Sequence, residues 1–206
     1  MKKLFTVLML TLAVTAWADD VDENFSAAMK NDYATELVKL KDYAGAVKWY
    51  KSAAEQGDAA AQLNLGVMYD NGNGVLEDDA EAVKWYELAA AQGKAAAQFN
   101  LGVKYAKGQG VAQDYVEAVR WYKLAAEQGE EAARFNLGVR YATGKGVAQD
   151  YIRAHMWWSL VSGGGGKYSS LSMKNKDKVA AKLTAEQIVK ARQMALECHL
   201  SRYKNC

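Results

Sequence analysis

The chain has 206 residues, half of them hydrophobic and 24% charged, with a formal net charge of +2 at pH 7. That near-balance removes the electrostatic case for nucleic acid or for a polybasic membrane contact. The length suits one domain with a real core, and the complete absence of proline fits a nearly all-helical chain.

The N-terminus reads MKKLFTVLMLTLAVTAWADD, the pattern of a secretory signal peptide. Lys2 and Lys3 form a positive n-region, Leu4 to Val14 is an uncharged apolar run, and Ala16-Trp17-Ala18 is a small-x-small cleavage site. The run is shorter than the about 20 apolar residues that span a bilayer. No cysteine stands at the cut, so no lipid anchor is expected. Cleavage after Ala18 predicts a periplasmic or secreted protein with no membrane anchor. Loss of the two lysines leaves 24 basic residues against 24 acidic ones.

The rest of the chain repeats itself every 36 residues. LGVMYDNGNGV from Leu65 returns as LGVKYAKGQGV from Leu101 and LGVRYATGKGV from Leu137. Trp49, Trp85, Trp121 and Trp157 keep the same interval, as do Asp42, Asp78, Asp114 and Asp150. A fixed period of this size marks a solenoid or array. Each unit reads as two helices. Ala61, Leu65 and Tyr69 recur at helical spacing, and Gly72, Gly108 and Gly144 suit left-handed C-caps. Asp78 and Asp114 then stand at N-cap positions, with Glu81 and Glu117 placed for capping boxes. Val83, Tyr86 and Ala90, widened by Trp85 and Leu88, give the second helix its apolar face. Gly57, Gly93 and Gly129 end it. Two short amphipathic helices cannot bury their faces alone, so the units must stack.

This context decides the Gly-x-Gly pairs. A dinucleotide loop needs a preceding strand and a third glycine, and a phosphate loop needs Gly-Lys-Ser/Thr before a helix. Neither is present, so the pairs are corners. Gly66, Gly102 and Gly138 differ, because they fall inside a helix, where glycine costs about 1 kcal/mol relative to alanine. They are expected to admit a bulky aromatic, with the tryptophan of the paired helix as the candidate. The tryptophan column itself is expected to be core.

These residues resemble the Sel-1-like repeat family, relatives of the tetratricopeptide repeats. Ala61 to Gly93 and Ala97 to Gly129 follow the family pattern nearly throughout, and Ala133 to Ser162 follows it until VSGGGG replaces the closing phrase. The resemblance implies an all-α, right-handed α-solenoid superhelix of antiparallel helix pairs with a concave inner surface. It also implies a role in holding other proteins rather than catalysis. The expected layout is a signal peptide over 1–18 and a solenoid over 19–166. Within the solenoid lie a degenerate unit at about 24–57 and units at 58–93, 94–129 and 130–166. A helical cap over 167–206 follows, with SSLSMKNKDKVAAKL as one helix and a capping box at Thr184 opening another. A tail of this kind resembles those of exported bacterial members.

A helical wheel of the first helix leaves an open stripe. It comprises Asn64, Met68 and Asn71, then Asn100, Lys104 and Lys107, then Asn136, Arg140 and Thr143. Asparagine offers a donor and an acceptor to an extended peptide, and the basic members favour acidic partner groups. The alternative is that the asparagines only satisfy neighbouring backbone and the charges form a solvated face.

Cys198 and Cys206 are the only cysteines and, in an exported chain, are expected to pair. On one straight helix they would stand about 12 Å apart, so the chain must leave the helix near His199 to Tyr203. No metal site is expected, because Cys198, His199 and Cys206 lack a fourth ligand in a zinc-type pattern. His155 reads as a core or surface histidine. No cofactor is implied. Some exported relatives carry a β-lactamase label, and Ser201-Arg-Tyr-Lys204 is a formal S-x-x-K, but the S-D-N and K-T-G partners are absent. The first reading is a non-enzymatic scaffold for a protein or peptide. An inhibitor or immunity protein is the alternative, and a β-lactam-binding protein or β-lactamase-like enzyme stands last.

Overall fold

The structure is a computed structural model that describes residues 25–204 and residue 206. The expected signal segment over 1–18 lies outside the described residues. Ten α-helices follow in order among those described, with no strand. They are α1 (Ala27–Lys39), α2 (Tyr43–Glu55), α3 (Ala59–Asn71), α4 (Asp79–Ala91), α5 (Ala95–Lys107), α6 (Tyr115–Glu127), α7 (Glu131–Thr143), α8 (Tyr151–Ser162), α9 (Ser169–Ala180) and α10 (Ala185–Leu200). Each helix from α1 to α8 packs on its neighbours in the chain, which makes an α-solenoid of helix pairs. Helices α9 and α10 both pack on α8 and close the C-terminal end.

The period explains the packing. Ala61, Ala97 and Ala133 on the first helices, Ala82, Ala118 and Ala154 on the second, and Leu65, Leu101 and Leu137 are all at 0% exposure. Alanine at the crossing lets two backbones approach, and leucine fills the space beside it. Aspartate side chains cap the second helices. Asp42 accepts from Gly45, Asp78 from Glu81, Asp114 from Val116 and Glu117, and Asp150 from Arg153. The expected reciprocal boxes at Glu81 and Glu117 do not form, because each carboxylate turns to a cation three residues on, Lys84 and Arg120. A complete capping box is found at Thr184 and Gln187.

The Gly-x-Gly corners have two jobs. Gly72, Gly108 and Gly144 cap their helices in the left-handed conformation. Gly74, Gly110 and Gly146 also have positive φ, and a Cβ there would strike the backbone of Tyr43, Asp79 and Tyr115. The corner of each unit thus seats on the start of the previous unit's second helix. The first unit has no such corner. It turns from α1 to α2 through Lys41 at φ 64°.

The helix-interior glycines do admit an aromatic, though not the tryptophan of the 36-residue column. A Cβ at Gly66 would lie 2.6 Å from the Tyr86 ring, at Gly102 2.5 Å from Tyr122, and at Gly138 2.5 Å from Trp158. All three are the residue after the column tryptophan. Trp85 and Trp121 are only half-buried, and Trp157 alone among these three is fully buried. Their indole N–H groups are shut from water with no acceptor.

Candidate functional site

The first helices present the stripe expected to face a partner, and two of its members are buried. Met68 and Lys104 are 5% and 3% exposed. Asn64, Asn100 and Asn136 are half-buried and have internal partners. Asn64 donates to Asn31 on α1 at 3.0 Å, Asn100 bonds Tyr86 and Asn136 bonds Tyr122. The wheel leaves them open because it sees one helix. In the stack the preceding unit supplies the group that each asparagine meets.

Lys104 is the centre of a polar cluster. Its Nζ donates to Asp70 on α3 and Asp79 on α4. The Tyr86 hydroxyl donates to the other oxygen of Asp70 at 3.0 Å. Burial works to lower the Lys104 pKa, but hydrogen bonds and charge from the two aspartates outweigh it, and the net shift is upward. Burial first, and then Asp70, push the Tyr86 hydroxyl far above its usual range. The cluster is therefore a charged tie between two units.

The members that end α3, α5 and α7 are exposed. Asn71 and Thr143 turn their side chains back to carbonyls of their own helix, while Lys107 projects into solvent from the last turn of α5. Arg140 is half-buried, and its Nε and Nη1 have no hydrogen-bond partner. Its guanidinium lies 5.1 Å from the centre of the Tyr115 ring. Burial lifts the Tyr122 hydroxyl to about 12, against the lowering effect of Arg140 and Asn136.

Comparison with known proteins bears on this arrangement directly. The Sel1 repeat profile matches residues 38–58, 59–94, 95–130 and 131–160, well over half the chain. The chain belongs to the Sel1 repeat family. A solved protective antigen, c5321, present in uropathogenic Escherichia coli strains and displaying an SLR fold, is 34% identical with a TM-score of 0.75. The match covers 86% of this chain and 38% of that one. A Sel1 repeat protein from Oxalobacter formigenes is 32% identical with a TM-score of 0.70, over 87% of this chain and 75% of that one. No curated protein matches the chain. Sel1 repeats generally mediate protein–protein interactions.

Within this Sel1 stack, glutamine does work that sequence reading missed. Gln62 and Gln98 are buried and donate to Ala54 and Ala90 carbonyls, and they accept in turn from Gln92 and Gln128. The glutamine of the closing AAQG and AEQG phrases thus ties the two helices of its own unit, and through Gln62 or Gln98 it reaches the second helix of the unit before. Its recurrence every 36 residues was the available signal. At the end of the stack, Cys198 and Cys206 form a disulfide-capable pair with Cα atoms 5.3 Å apart. The chain turns back through Arg202 and Tyr203, both at positive φ. Ser201 Oγ lies 2.9 Å from the carbonyl of Cys198 and 2.8 Å from that of Lys204, and its one proton is shared between them. His155 is buried in the core end, with burial holding its pKa below the usual imidazole value. Among the described residues no group of three or more His, Cys, Asp or Glu side chains converges, and no helix is long and apolar enough to cross a membrane.

Proposed function

We propose that this protein is a non-catalytic Sel1 scaffold that holds a protein or peptide partner against the face made by α3, α5 and α7. The observation that carries the reading is the fate of the stripe along that face. Met68, Lys104, Asn64, Asn100 and Asn136 are consumed by the stack, and the charges that remain toward the C-terminal half are basic: Lys107 exposed and Arg140 half-buried. Cationic groups left on this face select acidic partners and speed their encounter. The hydroxyl of the only S-x-x-K sequence is engaged with backbone carbonyls, which supports a role other than acyl transfer. The exported reading adds that the partner is met in the periplasm or outside the cell. The signal-like N-terminus and a cysteine pair positioned to bond in an oxidising compartment support it.

The test is crosslinking in the native compartment followed by mass spectrometry, with wild type beside Lys107→Glu. A defined partner whose yield falls in the variant is expected. Equal yield from both would remove the basic rim from the interface.

A further inference from the structure

The repeat supplies its own control for Arg140. One unit earlier the same helix position is Lys104, whose ammonium is met by two carboxylates, Asp70 and Asp79. Moving 36 residues along, the cation is kept as Arg140, but Asp70 becomes Ala106 and Asp79 becomes Tyr115. The rest of the cluster persists. Asn136 bonds Tyr122 as Asn100 bonds Tyr86. Among the described residues no carboxylate pairs with Arg140, and its Nε and Nη1 are buried without an acceptor. A second cation, Lys145, stands 5.1 Å from the same Tyr115 ring.

A charged donor kept in a partly desolvated place without its acceptor is costly. The lower-cost solutions are visible in the same molecule. Met68 occupies the position one unit before Lys104 and carries no charge at all. The Arg140 slot is thus half of an ion-pair cluster, with the small Ala106 methyl where a carboxylate stands in the unit before. The planar guanidinium is suited to bidentate capture of a carboxylate.

We propose that the Arg140 slot, framed by Ala106, Tyr115, Asn136 and Lys145, receives an aspartate or glutamate side chain from a peptide segment of the bound partner. The missing acid of the fourth unit comes from the partner and fixes where the segment lies. This rests on the scaffold reading above and adds the register and chemistry of its ligand.

The experiment selects a random-peptide library on the full chain and measures affinities of enriched peptides by fluorescence anisotropy. Enriched peptides are expected to share one acidic position. Changing that residue to Gln or Asn, or changing Arg140→Gln, should each weaken binding by about tenfold or more. Combining the two should add little further loss. Ala106→Asp keeps the arginine and supplies the acid within the chain. It should raise Tm and weaken the same peptides, which separates competition for the slot from misfolding. Enriched peptides without a shared acid, losses that simply add, or an Ala106→Asp variant that binds as wild type would overturn this inference and leave the scaffold reading standing. Failure to enrich any peptide would overturn both.

Discussion

The centre of the stack and its C-terminal end fill one slot with different chemistry. In the centre, Gln62 and Gln98 each donate to a carbonyl of the preceding helix and accept from the glutamine that closes their own unit. At the end the slot holds Arg134, which still donates to the equivalent carbonyl, Ala126, at 3.2 Å. The next glutamine position is Gly164, and the Tyr203 ring covers the guanidinium at 3.4 Å instead. Interior interfaces are sealed by a repeated neutral side chain because each of these units closes with the same glutamine. In the last unit that glutamine is replaced by glycine, so a cation is stacked by an aromatic carried on the loop between Cys198 and Cys206. The comparison separates what the period builds from what the cap must add.

The largest effect should come from the central units. Lys104→Met leaves Asp70 and Asp79 facing each other without their cation, and an expected loss of about 3 kcal/mol follows, at the low end for a broken buried pair because both acids are partly solvated. Urea unfolding measures it, and unchanged stability would mean that the cluster ties nothing together. Next comes the cap. Reducing the cysteine pair or making Cys206→Ser should cost about 2–3 kcal/mol in the loop-entropy account, expressed locally. Amide exchange should quicken in α8 and α10 and stay slow in α3 to α6. A uniform change would abolish the distinction between centre and end.

Gly102→Ala should lower stability by roughly 1–2 kcal/mol, overpacking against Tyr122 outweighing the gain in helix propensity. A rise in Tm would show that the tyrosine yields. Gly163→Ala, with nothing within 4 Å of the added carbon, is the matched control at the end of the stack. The smallest effect is the pH response of α8. Burial first, then Lys176 and Arg192, hold the His155 pKa down, with Asp177 opposing. The unfolded chain therefore takes up a proton near pH 6.5 before the folded one does, and stability should decline as pH falls below about 6.5. His155→Gln should flatten that part of the Tm profile.

Much of this architecture was legible in the residues. The 36-residue period places the helix pairs, the Gly-x-Gly corners and the aspartate caps, because each depends on local backbone chemistry. The chain reversal at Tyr203 followed from the reach of two cysteines. What escaped depends on neighbours. Tryptophan and tyrosine at adjacent positions both suit an apolar face, and only the crossing shows that Tyr86 and Tyr122 enter the glycine gaps. Lys104 reads as one of a solvated row because its two acids lie 34 and 25 residues away on other helices. Glu81 reads as half of a capping box, and a lysine one turn on takes it instead.

The most direct test of the scaffold reading uses the period as its ruler. A photo-crosslinking residue is placed in turn at Asn71, Lys107 and Thr143 on the first helices, and at Lys48, Lys84 and Arg120 on the second, all exposed. The account predicts one partner captured from the first set, most strongly at 107 and 143, and none from the second. Capture from the second set alone would contradict it.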